Sequence, residues 1–108
     1  MSADLGDLGR FAEPSLLILV SLSAGPNHGY AIMEDVEAIG GSRIGPGTLY
    51  ASLARLEARG LIEALSPQDR RRPYRLTALG ATTLRAQLEG LEGFARTGLR
   101  RLEGSRLA

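Results

Sequence analysis

The side chains able to do chemistry in this sequence are arginines, hydroxyls and one imidazole, and their spacing suits holding an anion better than breaking a bond. Cysteine is absent and His28 is the only histidine. A thiol nucleophile, a disulfide and a zinc centre built from thiolates or imidazoles are therefore excluded. His28 stands near a helix start with no matched acid, which marks it as a cap or packing residue rather than a catalyst. No catalytic site, metal site or cofactor is expected. Two segments concentrate the remaining chemistry. GPGTLYASLAR at 45–55 carries small residues, hydroxyls and one cation, with no carboxylate before Glu57, and Arg70, Arg71, Arg72 and Arg75 fall within six positions.

The charge is distributed to match. The chain of 108 residues has a net charge of only +1. Residues 1–39 carry about -5, residues 40–80 about +4 and residues 81–108 about +2, so the cationic excess sits around the two segments. All 13 basic residues are arginine. Hydrophobic residues make up 44% and charged residues 23%, the balance of a folded globular chain, and the length suits one domain with one core. The apolar run LLILV at 16–20 is too short to cross a bilayer and follows no basic stretch, so a cytoplasmic location with no membrane partner is expected.

The elements that must position these residues follow from punctuation and periodicity. Residues 1–12 lack periodicity and are expected to form a flexible tail. Pro14 suits the first position of a helix, and Leu16, Leu17, Ile18, Leu19, Val20 and Leu22 cover most of its circumference, so it is buried on more than one side. SAGPN at 23–27 is a turn, and a second helix is predicted from about His28 to Ile39. After a very short strand at 42–44, Pro46 opens a third helix that Gly60 stops. Its Leu49, Leu53 and Leu56 make an inward stripe. Thr48, Ser52, Arg55 and Arg59 make an opposed polar one, a candidate binding face with Arg43 just ahead of it. LIEALS and RPYRLT are strands of a basic hairpin. Thr77 caps a long helix to about Glu103, in which Leu84, Leu88, Leu91, Ala95, Gly98 and Leu102 follow the spacing of a helix-pair seam.

This order predicts a mainly α, α+β chain: a winged helix-turn-helix over 13–80 with a C-terminal dimerisation helix over 81–104. A helix fits the major groove of B-form DNA, with its first turns near base edges and its small hydroxyls on phosphates. On that plan Gly47 lets backbone approach, Thr48, Tyr50 and Ser52 offer hydroxyls, and Arg55 offers charge. Arg70, Arg71, Arg72 and Arg75 would neutralise phosphates or enter a narrow minor groove. Leu16, Leu19 and Val20, with the seam Leu84, Leu88, Leu91, Ala95 and Leu102, form the expected interface with a second copy.

HGY at 28–30, PGTLY at 46–50, LARLEARGLIEA at 53–64 and YRLTALG at 74–80, in that order, resemble the PadR family of bacterial transcriptional regulators. The resemblance spans residues 14 to about 90. It implies a winged-helix repressor that dimerises through its first and last helices and sets its third helix and wing on operator DNA. By position it also implies that Tyr30, Gly47, Thr48 and Tyr50 lie at or near the DNA backbone. The short C-terminal region resembles the smaller subgroup with a single terminal helix. The chain departs from the family at Pro73, where an aromatic is common, and lacks the tryptophan that some members use to stack flat ligands. The sequence is thus read as a homodimeric repressor on a pseudo-palindromic operator, released by a small-molecule effector whose walls the residues do not name. The rival reading is a winged-helix protein-interaction module with a basic face and no operator specificity.

Overall fold

The computed structural model describes residues 13–40 and 43–105. The expected tail at 1–12 and Ser42 lie outside the described residues.

Pro14 has no N–H to leave unpaired, and helix α1 (Pro14–Ser23) begins there, with the Leu17 N–H donating to the Glu13 carbonyl at 3.1 Å. After the turn come strand β1 (Asn27–His28), helix α2 (Gly29–Gly40), helix α3 (Pro46–Ala58), strands β2 (Ile62–Ala64) and β3 (Pro73–Leu76), and helix α4 (Ala78–Gly104). This is the predicted winged-helix order, with α3 and the hairpin in the expected places. Two details differ. Asn27 and His28 form a third strand instead of starting the second helix, and Arg43 and Ile44 are in coil where a short strand was expected.

The sheet is antiparallel in the order β1-β3-β2. Ile62 faces Leu76, Glu63 faces Arg75 and Ala64 faces Tyr74 across β2 and β3, while Asn27 faces Tyr74 and His28 faces Pro73 across β1 and β3. Pro73 is accommodated because its carbonyl still accepts from the Leu65 N–H at 2.8 Å, and the N–H it lacks belongs at the end of the strand.

One core joins these elements. Ile18 and Leu22 of α1, Ile32 and Val36 of α2, Leu49, Leu53 and Leu56 of α3, and Ile62 of β2 are buried together. Each such aliphatic side chain contributes roughly 1.5–3 kcal/mol on leaving water. Leu19 and Leu84, expected at a subunit interface, are 4% exposed and lie in this same core. The expectation is corrected for both: apolar spacing shows that a side chain is buried, and in α1 and the first turns of α4 the chain itself does the burying. Leu16 and Val20 are half-buried at the core's edge, Leu91 is half-buried, and Leu88, Ala95 and Leu102 are exposed.

A knot of hydrogen bonds at the base of the wing positions three elements at once. Gly60 ends α3 in the left-handed region at φ 74°, its N–H donating to Glu57 O at 2.9 Å while the Leu61 N–H donates to Leu56 O at 3.0 Å. The Thr77 hydroxyl donates to the Gly60 carbonyl at 2.6 Å and accepts from the Gly80 N–H at 2.9 Å, and the Thr77 N–H donates to Leu61 O at 3.1 Å. The predicted cap of the long helix therefore also ties that helix to the end of α3. Helix and loop touch so closely that a Cβ on Gly80 would stand 2.0 Å from Leu61 O.

Gly80→Ala should thus destabilise the fold by on the order of 3 kcal/mol. Gly90→Ala, where a Cβ meets nothing within 4 Å, should stabilise it by up to about 1 kcal/mol. Thermal melts followed by circular dichroism should move in opposite directions, and equal shifts would refute the contact at Gly80.

Candidate nucleic-acid interface

Helix α3 presents its N-terminal turn to solvent because Pro46 starts it on an extended Gly45 and the inward leucines begin only at Leu49. Gly47 and Thr48 are exposed in that turn. Tyr50 is 55% exposed, and its ring lies across the start of α2. That placement depends on Gly29: a Cβ there would come within 2.7 Å of the Tyr50 hydroxyl. The glycine of HGY and the tyrosine of PGTLY are one contact seen from two sides. Tyr30, one residue further along α2, is 64% exposed.

Ser52 does not belong to this surface. It is wholly buried between Leu49 and Leu56, and its hydroxyl accepts from an Arg55 guanidinium N–H at 3.2 Å. The expected role of Ser52 at DNA is corrected, because at 100° per residue position 52 falls on the leucine side of α3. Its hydroxyl instead orients Arg55, which remains exposed. Arg43 is exposed in the coil before α3.

The wing tip is a two-residue turn. Gln68 and Arg71 exchange backbone hydrogen bonds at 2.8 Å, and the two residues between them, Asp69 and Arg70, have φ of 50° and 67°. Both central residues at positive φ define a type I′ turn, the geometry that matches hairpin twist and that usually takes Asn-Gly. Here the position most often given to glycine carries an arginine, which places a cation at the apex and holds its backbone in a strained region.

The three tip arginines do not act alone. Arg70, Arg71 and Arg72 line a shallow cleft of ≈ 350 Å³ whose other walls include Tyr30, Tyr50 and Tyr74. Residues from α2, α3 and the wing, predicted separately from the sequence, are thus brought to one place. The Tyr74 phenol is held above its ordinary value, first by burial and then by the charge of Glu57, with Tyr50 adding to the effect and Arg72 opposing it. It stays a neutral hydrogen-bonding group. Arg75 is set apart from the tip: its guanidinium forms an ion pair with Glu63 across the β2–β3 register. Its charge is already matched, which weakens the expectation that it neutralises a phosphate.

His28 and Tyr74 were missed as members of the cleft by sequence reasoning. His28 sits on β1 and accepts at Nε2 from an Arg71 N–H at 3.3 Å, while its own backbone N–H donates to Asn27 Oδ1 at 2.9 Å. The block HGY held the signal, since the histidine stands two residues before Tyr30, the residue assigned to the interface.

Strain at the wing apex is open to test. Arg70→Gly should raise the stability of the chain by roughly 0.5–1 kcal/mol, because glycine adopts positive φ without a Cβ clash. A urea melt showing a loss of stability would contradict the assigned turn.

The chain has known relatives. A family profile described as the transcriptional regulator PadR-like family matches residues 18–86. The chain is similar to an uncharacterised 37.1 kDa protein in transposon TN4556 of Streptomyces fradiae, 42% identical over 82 residues, which are 76% of this chain. It spans only 24% of that curated relative's length. Among solved structures it is similar to a transcriptional regulator from Clostridium thermocellum, with 27% identity, a TM-score of 0.70, and coverage of 86% of this chain and 93% of that one. A PadR family transcription regulator from Clostridium difficile R20291 shares the fold at 23% identity and a TM-score of 0.74, covering 82% of this chain and 97% of that one.

Proposed function

This chain belongs to the PadR-like family of transcriptional regulators, and on that premise we propose that it is a homodimeric repressor that binds a pseudo-palindromic operator through the α3 N-terminal turn and the arginine wing. The observation that carries the reading is the convergence of Tyr30, Tyr50 and Arg70–72 on one cleft, with Gly47 and Thr48 exposed in the α3 turn that carries Tyr50. Three wing cations and the tyrosine hydroxyls of two helices, gathered at one cleft, suit a phosphate backbone. Arg43, exposed before α3, and Arg55, exposed on it, would add phosphate contacts.

The second copy is the partner that the α4 surface supports. Beyond Leu84 this helix leaves the core, and Leu88, Phe94, Leu99 and Leu102 are between 42% and 79% exposed. At 100° per residue these side chains, with Leu91, Ala95 and Gly98, occupy one arc, Arg85, Glu89, Glu92, Arg96 and Arg100 occupy the arc adjoining Leu99, and Arg101 flanks the other edge beside Phe94. A face of this kind packs well against its own two-fold copy. Two copies joined this way would present two α3 helices to successive major grooves about 34 Å apart. Release by a small-molecule effector is part of the proposal. A groove of ≈ 450 Å³ between α1 and α4, whose walls include Ser23, Leu76, Leu84 and Leu88, is within the size range that small ligands occupy.

Selection of bound sequences from random duplexes tests operator recognition directly. An enriched pseudo-palindrome supports the proposal, whereas uniform weak binding to every duplex would favour a basic protein-interaction module instead. Arg71→Glu with Arg72→Glu should leave the melting curve in place and flatten the salt dependence of duplex affinity by about two log-log units; an unchanged slope would remove the wing from the interface. For assembly, light scattering on the eluting protein should give a dimer, and Leu88→Arg should shift it toward monomer. A wild-type monomer at tens of micromolar would refute the α4 interface.

A further inference from the structure

We propose that His28 and Arg71 form a proton-operated phosphate clamp: protonation of His28 releases Arg71, and the two cations together grip one phosphodiester of the duplex. The inference rests on the nucleic-acid reading above and extends it to a residue outside the arginine wing.

The chemistry follows from the single contact between them. Arg71 is a permanent donor, so the Nε2 that it approaches at 3.3 Å must offer a lone pair. That hydrogen bond requires the tautomer with its proton on Nδ1. An imidazolium has no lone pair to offer, so adding a proton at Nε2 breaks the hydrogen bond and leaves two donors side by side with like charge. The balance is simple: one proton is taken up from solvent, one N–H···N contact is lost, and no covalent bond changes.

What surrounds the pair decides when that proton is welcome. From the wing tip, Arg70, Arg71 and Arg72 face His28, with Asp69 the one carboxylate among the described lining residues. From α2, α3 and β3 come the phenols Tyr30, Tyr50 and Tyr74, none of them a source of negative charge near neutral pH. Three guanidinium groups outnumber two carboxylates, Asp69 in the lining and Glu57 acting on Tyr74 from α3, so the free cleft is net positive. A bound phosphodiester reverses the sign, because its charge is shared by Arg71 and the imidazolium. The bound state therefore holds more protons at His28 than the free state, and by linkage affinity must rise as pH falls. An imidazole changes charge between pH 5 and 8, so this rise falls in an accessible range. Because His28 is the only histidine in the chain, no second imidazole confuses the measurement.

The test measures affinity of the full chain for a mixed-sequence duplex of about 30 base pairs at pH 6 and pH 8, across a salt series, for wild type and for His28→Gln. The phosphate grip does not depend on sequence, so no operator is needed. Wild type should bind roughly threefold to thirtyfold tighter at pH 6, below the hundredfold ceiling for one proton over two pH units. Its log-log salt slope should steepen by up to about 0.9, as one further phosphate charge is neutralised. His28→Gln, shown by its melting curve to be folded, should lose both changes; glutamine can still accept from Arg71 and cannot take up the proton. The imidazole C–H resonances of wild type should also titrate at higher pH with duplex than without. Duplex binding with a pH-independent affinity, or a pH dependence that His28→Gln retains in full, overturns the clamp and leaves the nucleic-acid reading intact. Failure of wild type to bind duplex at either pH removes both.

Discussion

The structure depends on the place where α3, the wing and α4 meet. Thr77 uses its N–H and its hydroxyl on the carbonyls of Leu61 and Gly60, and the same hydroxyl receives the Gly80 N–H. Each of these backbone groups would otherwise be left at a chain end or loop with reduced access to water, where an unpaired group costs about 1–3 kcal/mol. The contact distance between Gly80 and Leu61 O leaves no room for a side chain. The angle of α3 relative to the wing is therefore set by backbone geometry and does not rely on side-chain packing alone.

From that junction outward the two halves of the molecule do different physical work. On one side the sheet carries the arginine tip toward Tyr50 and Tyr30, and the strained Asp69-Arg70 turn keeps cations where a freer sequence would have placed glycine. Stability is given up there in favour of charge, a pattern common at binding sites. On the other side α4 leaves the core after Leu84 and holds an apolar arc in solvent. Neither feature is explained by the needs of the isolated fold, and both fit the partners proposed above.

Sequence reasoning located the elements whose boundaries are local chemistry. Pro14, Pro46, Gly60 and Thr77 each mark a boundary through their own backbone or side chain, and the structure has a helix end or start at every one. It failed where the cause is distant. A strand of two residues has no periodicity, and Asn27 and His28 become one only because Tyr74 and Pro73 lie beside them. The Glu63–Arg75 ion pair follows from a register that two short strands do not announce. Ser52 was misplaced because its polarity was weighed above its angular position, and Leu19 and Leu84 because an aliphatic side chain does not say which surface will cover it. His28 was passed over for a related reason: its meaning lies in a guanidinium 43 residues away in sequence.

The continuity of α4 has a mechanical consequence. One unbroken helix runs from the Gly80 contact to Gly104, and the stretch beyond Leu84 is about 30 Å long at 1.5 Å per residue. It is a lever whose short end is jammed against the base of the wing. A tilt of about 5° at the junction sweeps the far end by roughly 2–3 Å, and the converse holds when the far end is clamped. Seating the exposed arm therefore bears on the same junction from which the wing extends.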